Sequence, residues 1–313
     1  MAAKQKLTHT YVVEGGIGKC LAFTSILSLL EKKANNKVNI VTPYTDVFQK
    51  NNHVNLIFDG SNIQLGHPQI QSSDDLFYVE PYKNKFALGK IHLIKAYCDL
   101  LGVQYNNKLS PKMFSGEQEQ NVDKIKADGE IDKYIIVQFS GGQSPLTYRE
   151  GVGYQNLDPG RMYPPFLAQQ VINMLKEEYK NHKIINMCLP NEPQFENAIP
   201  LQAPFVCFHE LLKGADGFIS CDSVLNHMSV SAKKRGVVIW GSTRWSQFGY
   251  TQNQNVNYYM TNDWVENKFN GGDPRNIMVD PQKVVDLYKE RETRVISGSE
   301  KGNASVHCMA KAS

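Results

Sequence analysis

Strand and helix signals alternate along this chain, stop in a charged stretch, and then start again. That pattern confines the fold to parallel sheets joined by right-handed helical crossovers. Tyr11-Val12-Val13 is a short apolar run that ends at Gly15-Gly16. Beyond Gly18 a helical spacing turns Leu21, Leu27 and Leu30 inward and closes on Lys32 and Lys33, whose charge complements the helix dipole. Further strands are predicted over 38–41, 54–58 and 76–79, with a short helix over 45–50 and a longer one over 87–101 that ends at Gly102. Residues 60–75 are polar with Gly and Pro and read as loop.

Over 115–133 apolar residues thin out and charges such as Glu117, Asp123 and Lys133 crowd in. This segment reads as a linker, in part helical. The alternation then resumes with a strongly apolar strand over 134–139, of the kind buried on both faces. Helices are expected over 164–179, 208–213 and 223–234, with strands over 184–189, 217–220 and 237–240. A last helix starts near Pro281 and includes Tyr288. The reading is α/β throughout, in two domains over 1–125 and 134–296, followed by a flexible polar tail over 297–313. Two such halves hold a ligand in the cleft between them, at the carboxyl ends of their strands.

Composition narrows the function classes. The chain has 313 residues, 41% hydrophobic and 21% charged, which excludes disordered and collagenous classes. A formal charge of +3 neither demands nor excludes a polyanionic partner. The six cysteines form no C-x-x-C pair and cluster with no histidines at zinc spacing, so they read as reduced, buried thiols. The start has no apolar signal region, and no uncharged apolar run reaches the roughly 18 residues of a membrane span. A cytoplasmic protein is expected.

The first candidate site is Glu14-Gly15-Gly16-Ile17-Gly18-Lys19-Cys20, between a strand and a helix. Glycines there let backbone approach a ligand, and a helix N-terminus favours an anion. A phosphate-binding P-loop is one reading, but Val13 stands where its first Gly belongs and Cys20 replaces the Ser/Thr that would hold Mg²⁺. No Asp-x-Asp suggests metal-bound diphosphate. Asp74-Asp75 is adjacent rather than spaced and reads as a solvated loop. No metal site is expected.

The second site is stronger. Asp222-Ser223 ends a strand and opens a helix, with Ser223 as N-cap. The amides of Ser223, Val224 and Leu225 would then point outward, suited to a diphosphate. His227 falls about one turn further on, on the same face. Gly241-Ser242-Thr243 follows the next apolar strand. A lone histidine at such a place is more often a core residue, but the whole block adds weight to a ligand role.

This block resembles glycosyltransferase family 9, the ADP-heptose:lipopolysaccharide heptosyltransferases. Asp222, Ser223, His227 and Ala232 match the family's Asp-[Ser/Thr]-Gly-x-x-His-x-x-x-Ala, with Val224 in place of Gly, and Gly241-Ser242-Thr243 matches its Gly-Pro-Thr. Val137 to Gly142, including Ser140, is similar to the strand and loop that open the second domain. Arg161-Met162-Tyr163-Pro164 resembles Lys-x-Trp-Pro, which implies that Arg161 meets a phosphate. Within Leu189 to Ala198, the resemblance implies that Glu196 holds the nucleotide ribose. Gly15 to Thr24, with Gly16 and Gly18, and the segment Asn51 to Ile57 resemble the family's first-domain loops. The likeness covers most of 9–245 and is strong only in the second half.

The resemblance implies two facing Rossmann-like domains, the glycosyltransferase B-type fold. It implies inverting transfer of a sugar from a nucleoside diphosphate sugar to a hydroxyl, with no cofactor beyond that substrate. The acceptor it suggests is a saccharide such as lipopolysaccharide core. Helix amides at Asp222-Ser223, Arg161 and His227 would stabilise the departing diphosphate. The family places its probable base, an Asp, where this chain has Lys19. Lysine is a poor general base, so Glu14 or Asp46 is left for that role, or Lys19 contacts a phosphate. Peripheral membrane contact would use Lys83, Lys85 and Lys90 with Tyr82 and Phe86. Alternatives are a bacteriophage-type enzyme glycosylating hydroxymethylated DNA, for which Lys233-Lys234-Arg235 could meet phosphates, and a non-catalytic scaffold that binds a nucleotide sugar.

Overall fold

The computed structural model describes residues 8–61, 68–87, 89–141, 148–149, 153–154, 159–189, 192–256 and 277–291. The tail expected over 297–313, with Cys308, lies outside the described residues. The strands are β1 (His9–Val12), β2 (Val38–Thr42), β3 (Val54–Asp59), β4 (Asp75–Tyr78), β5 (Tyr134–Gln138), β6 (Tyr148–Arg149), β7 (Gly153–Tyr154), β8 (Lys183–Met187), β9 (Ile199–Leu201), β10 (Gly217–Cys221), β11 (Gly236–Ile239) and β12 (Gln254–Val256). The α-helices are α1 (Ile17–Phe23), α2 (Leu27–Ala34), α3 (Pro68–Gln71), α4 (Asn84–Ala87), α5 (Leu93–Leu101), α6 (Glu119–Asp128), α7 (Pro165–Glu178), α8 (Phe205–Gly214), α9 (Val224–Ser231), α10 (Trp245–Phe248) and α11 (Pro281–Glu290).

The first sheet runs β3-β2-β1-β4 and the second β12-β11-β10-β5-β8-β9, with every pairing in both parallel. Strands β6 and β7 form a separate antiparallel pair. Leaving that pair aside and renumbering from β5, the second sheet reads 3-2-1-4-5-6, the doubly wound order. The first sheet reads 3-2-1-4, the same order cut short. Each sheet therefore has one point where its strand order reverses, between β1 and β4 in the first and between β5 and β10 in the second.

Side-chain alternation along β5 explains the layering. Tyr134 and Ile136 join one core cluster, which also holds Leu211, Leu225 and Met228 from α8 and α9. Ile135, Val137 and Phe139 join the other, with Val171 and Ile172 of α7 and Val284 and Tyr288 of α11. The first of these clusters continues into the first lobe through Tyr11, Phe23 and Leu27, so the lobes share a core.

Two expectations are corrected, and a third, a linker that is in part helical, is met. The predicted helix after Gly18 breaks into α1, a 3₁₀ turn over Thr24–Ile26, and α2. Thr24 Oγ1 donates to the Leu21 carbonyl at 2.6 Å, competing with the helix ladder. The helix predicted over 87–101 starts only at Leu93, because Gly89 adopts φ 71° and interrupts it. The linker over 115–133 contains α6, which buries Val122 and packs on α8 of the second lobe.

Candidate functional site

In the second lobe the strand-order reversal opens where β5 and β10 end, and Ser140, Gly141, Asp222 and Ser223 all sit there. Gly141 lies so close to the Asp222 carbonyl that a side chain would not fit. Ser223 caps α9: its Oγ accepts from the Leu225 amide at 3.2 Å and donates to Gln138 Oε1 at 2.5 Å. The cap thus uses Leu225, one of the three amides expected to meet an anion, and leaves those of Ser223 and Val224. Asp222 is buried, with Oδ2 accepting from Thr243 Oγ1 at 2.6 Å and lying 3.2 Å from Arg161 Nε. Arg161 Nη2 also donates to the Asp222 carbonyl at 2.9 Å. The guanidinium is thereby fixed at the mouth of the reversal point, one quarter exposed. Asp222, Thr243 and Arg161 form one unit in which the carboxylate holds the arginine.

In the first lobe the corresponding point lies between the ends of β1 and β4. Gly15 there has φ 100°, and a Cβ on it would stand 2.8 Å from Lys19 Cδ. The loop is folded around the Lys19 side chain. Lys19 Nζ donates to Glu80 Oε2 at 3.0 Å and lies 4.7 Å from the Tyr82 ring centroid. Gly16 borders open space, and Glu14 is exposed.

The lobes meet where α1 packs on α9. Gly18 rests on His227: a Cβ there would be 2.8 Å from the ring's Cδ2. His227 Nδ1 pairs with the Tyr250 hydroxyl at 2.8 Å. His92 stands edge-on to the same Tyr250 ring, donating from Nε2 to the Gly249 carbonyl at 3.1 Å while Nδ1 accepts from the Ile94 amide. Burial, with the nearby His92 and Arg161 charges, lowers the His227 pKa to about 3, so the ring is neutral at pH 7. Helical spacing puts His227 on the face of Ser223, but the structure turns it onto the other lobe, where it joins the two halves.

The remaining candidates are dispersed. Glu196 is exposed, and its backbone is tied to Gln169 of α7. Glu192 of the same loop is buried instead, its carboxylate accepting from the Leu189 amide at 2.7 Å. Asp46 accepts from Gln49 Nε2 at 3.0 Å. The P-loop reading is overturned. Lys19 is buried against Glu80 rather than free to cradle a phosphate. Cys20 turns inward to the Val13 carbonyl and Thr42, its thiol pushed up to about 11 by burial. The membrane patch expected around Tyr82 and Phe86 is corrected as well. Phe86 is fully buried, stacked on a half-buried Tyr82 and edge-on to Phe248.

No protein-family profile matches the sequence, and no curated protein matches it. Solved structures do. A glycosyl transferase family 9 protein from Veillonella parvula aligns at TM-score 0.69 and 10% identity, covering 93% of this chain and 98% of its own. The E. coli ADP-heptose lps heptosyltransferase II aligns at 0.65 and 11%, covering 91% and 98%. The E. coli glycosyltransferase TibC aligns at 0.63 and 12%, covering 94% and 78%.

The chain has the glycosyltransferase B-type fold. Tyr82 of the first lobe reaches the second, its ring edge-on to Phe248. Burial raises its hydroxyl pKa, and the charges of Asp222 and Arg161 from the second lobe reach it as well as Glu80 from the first. Glu80, bonded to Lys19, was not singled out from the sequence. Its signal was faint: a carboxylate just past a strand end, before Pro81. Among the described residues no group of three or more His, Cys, Asp or Glu is placed to hold a metal ion, and no helix is long and apolar enough to cross a membrane.

Proposed function

We propose that this protein transfers a sugar from a nucleoside diphosphate sugar to a hydroxyl acceptor with inversion at the anomeric carbon. The observation that carries this reading is the Arg161-Asp222-Thr243 unit beside the capped start of α9. It presents a fixed guanidinium and the Ser223 and Val224 amides at the reversal point of a doubly wound sheet. Those groups suit the two phosphates of a leaving nucleoside diphosphate. As the acceptor oxygen attacks the anomeric carbon, the bond to the diphosphate breaks and its electron pair leaves with the nucleotide. Arg161 and the helix amides bear the charge that develops, with no metal ion assigned to that task.

The likeness to a lipopolysaccharide heptosyltransferase favours a saccharide hydroxyl as acceptor. The buried free thiols of Cys20, Cys98, Cys188, Cys207 and Cys221 fit a reducing compartment, which favours the cytoplasm.

The test is titration calorimetry with ADP, UDP, GDP and CDP in the presence of EDTA. One of the four binds, and Arg161→Gln weakens it about 10- to 100-fold, the range for a charge-assisted hydrogen bond. Equal affinity in the variant removes Arg161 from the site. Silence across all four leaves a scaffold without transferase activity.

A further inference from the structure

Transfer to a hydroxyl needs a group to take the acceptor's proton, and neither Lys19 nor Asp222 is placed to do so. Asp222 is buried with its carboxylate held by Arg161 and Thr243. Lys19 is buried, and its ammonium already donates to Glu80. Glu14 is exposed, and its carboxylate forms no hydrogen bond among the described residues.

Glu80 differs from all three. It follows β4, so it stands at the reversal point of the first sheet, across from β1 and its glycine loop. Two donors fix its carboxylate: Lys19 Nζ to Oε2 at 3.0 Å, and its own loop's Tyr82 amide to Oε1 at 2.9 Å. The pair is asymmetric. The Lys19 side chain is 6% exposed and that of Glu80 is 47% exposed, so the ammonium faces inward and the carboxylate faces out. Glu80 lines a first-lobe cavity of about 570 Å³, together with Lys83, Lys85 and Ile91, which is large enough for a sugar ring. Tyr82, bonded to Glu80 through its amide, lies edge-on to Phe248 of the second lobe, so the loop that carries Glu80 adjoins that lobe.

We propose that Glu80 is the base that deprotonates the acceptor, with Lys19 as the residue that positions it. The acceptor's O–H proton passes to the Glu80 carboxylate as its oxygen bonds to the anomeric carbon. The bond from that carbon to the diphosphate breaks, and its electron pair leaves with the nucleotide. The inference rests on the transferase reading above and adds which side chain activates the acceptor.

The experiment uses the full chain, with water as acceptor and ADP-glucose, ADP-heptose, UDP-glucose, GDP-mannose and CDP-glucose as donors. Nucleoside diphosphate release is measured for the unchanged protein, Glu80→Gln and Glu14→Gln, and diphosphate affinity is measured for each by calorimetry. Glu80→Gln is expected to lose at least about 100-fold in release rate, the usual share of a positioned base, with unchanged diphosphate affinity. Azide needs no deprotonation, so in Glu80→Gln it restores nucleotide release and yields the inverted glycosyl azide. A merely structural role for Glu80 would show no such rescue. Full release by Glu80→Gln overturns the proposal. So does the loss falling on Glu14→Gln, a loss without azide rescue, or no release by the unchanged protein although it binds diphosphate. Failure of the unchanged protein to bind any nucleoside diphosphate overturns the transferase reading itself.

Discussion

Acid should unfold this protein well above the pH at which carboxylates titrate. Two buried histidines, His209 and His227, and the half-buried His92 set the magnitude. Burial lowers the pKa of His227 to about 3, and those of His92 and His209 to about 4, from an ordinary 6.5. His209 bridges Ser115 and Ser231 through its two ring nitrogens, at 2.5 and 3.0 Å, and so joins the segment before α6 to α9. His227 and His92 flank Tyr250 at the meeting of the lobes. Because the folded pKa is lowered, the unfolded chain binds more protons between these values, and stability falls as pH drops. At pH 5 each unfolded histidine is protonated and each folded one is not, a loss of about 2 kcal/mol apiece and about 6 kcal/mol together relative to pH 8. That is comparable with the whole stability of an ordinary domain, about 5–15 kcal/mol. Urea unfolding at pH 8, 7, 6 and 5, followed through the emission of buried Trp240, should show the midpoint moving down as pH falls. His227→Asn should flatten the dependence by one proton, about 1.4 kcal/mol per pH unit near pH 5. Stability that is level from pH 8 to 5, or an unchanged slope in His227→Asn, would refute the argument that these rings are held neutral by burial.

Two further substitutions probe the site's framework. Gly18→Ala should destabilise by about 1–2 kcal/mol in urea unfolding, since a Cβ would stand 2.8 Å from a His227 ring that Tyr250 holds in place. In the background of His227→Ala the same change should be neutral or stabilising, and equal effects in both backgrounds would deny the contact. Ser223→Ala removes the α9 cap and leaves buried Gln138 Oε1 without its donor, so a loss of about 1–3 kcal/mol is expected by thermal unfolding, and Ser223→Thr should keep most of that stability.

The alternation of strands and helices was legible because each strand of the core is a dense apolar run. Tyr134-Ile135-Ile136-Val137 could be little other than a central strand, and its period-two division between the two core clusters follows from that. The elements that escaped notice are those whose burial is partial or borrowed. Strand β9 is three residues with Pro200 at its centre, and β12 is Gln254-Asn255-Val256, so neither carries an apolar pattern of its own. Helix α6 reads only as the helical part of a charged linker, because it contributes one buried side chain, Val122, to another element's core. At the site, capping chemistry at Ser223 is local and could be read from the chain. The orientation of His227 could not, because Tyr250 holds the ring and it packs on Gly18, more than two hundred residues earlier in the other lobe. The Lys19-Glu80 pair was hidden for the same reason, being set by the adjacency of β1 and β4.

The exchange of a carboxylate for Lys19 is less disruptive than it looks on the sequence alone. A parallel sheet that reverses between β1 and β4 presents two loops to the same space, so a charge lost from one can be supplied by the other. Glu80 provides a carboxylate within hydrogen-bond reach of the position that Lys19 occupies. The local charge is not the same, however. A lone Asp on the glycine loop would set one unpaired negative charge there, whereas the Lys19-Glu80 pair is neutral in sum and has Lys83 and Lys85 on the cavity wall beside it. Coulomb repulsion of an anionic ligand is therefore smaller at this pair than at an unpaired carboxylate.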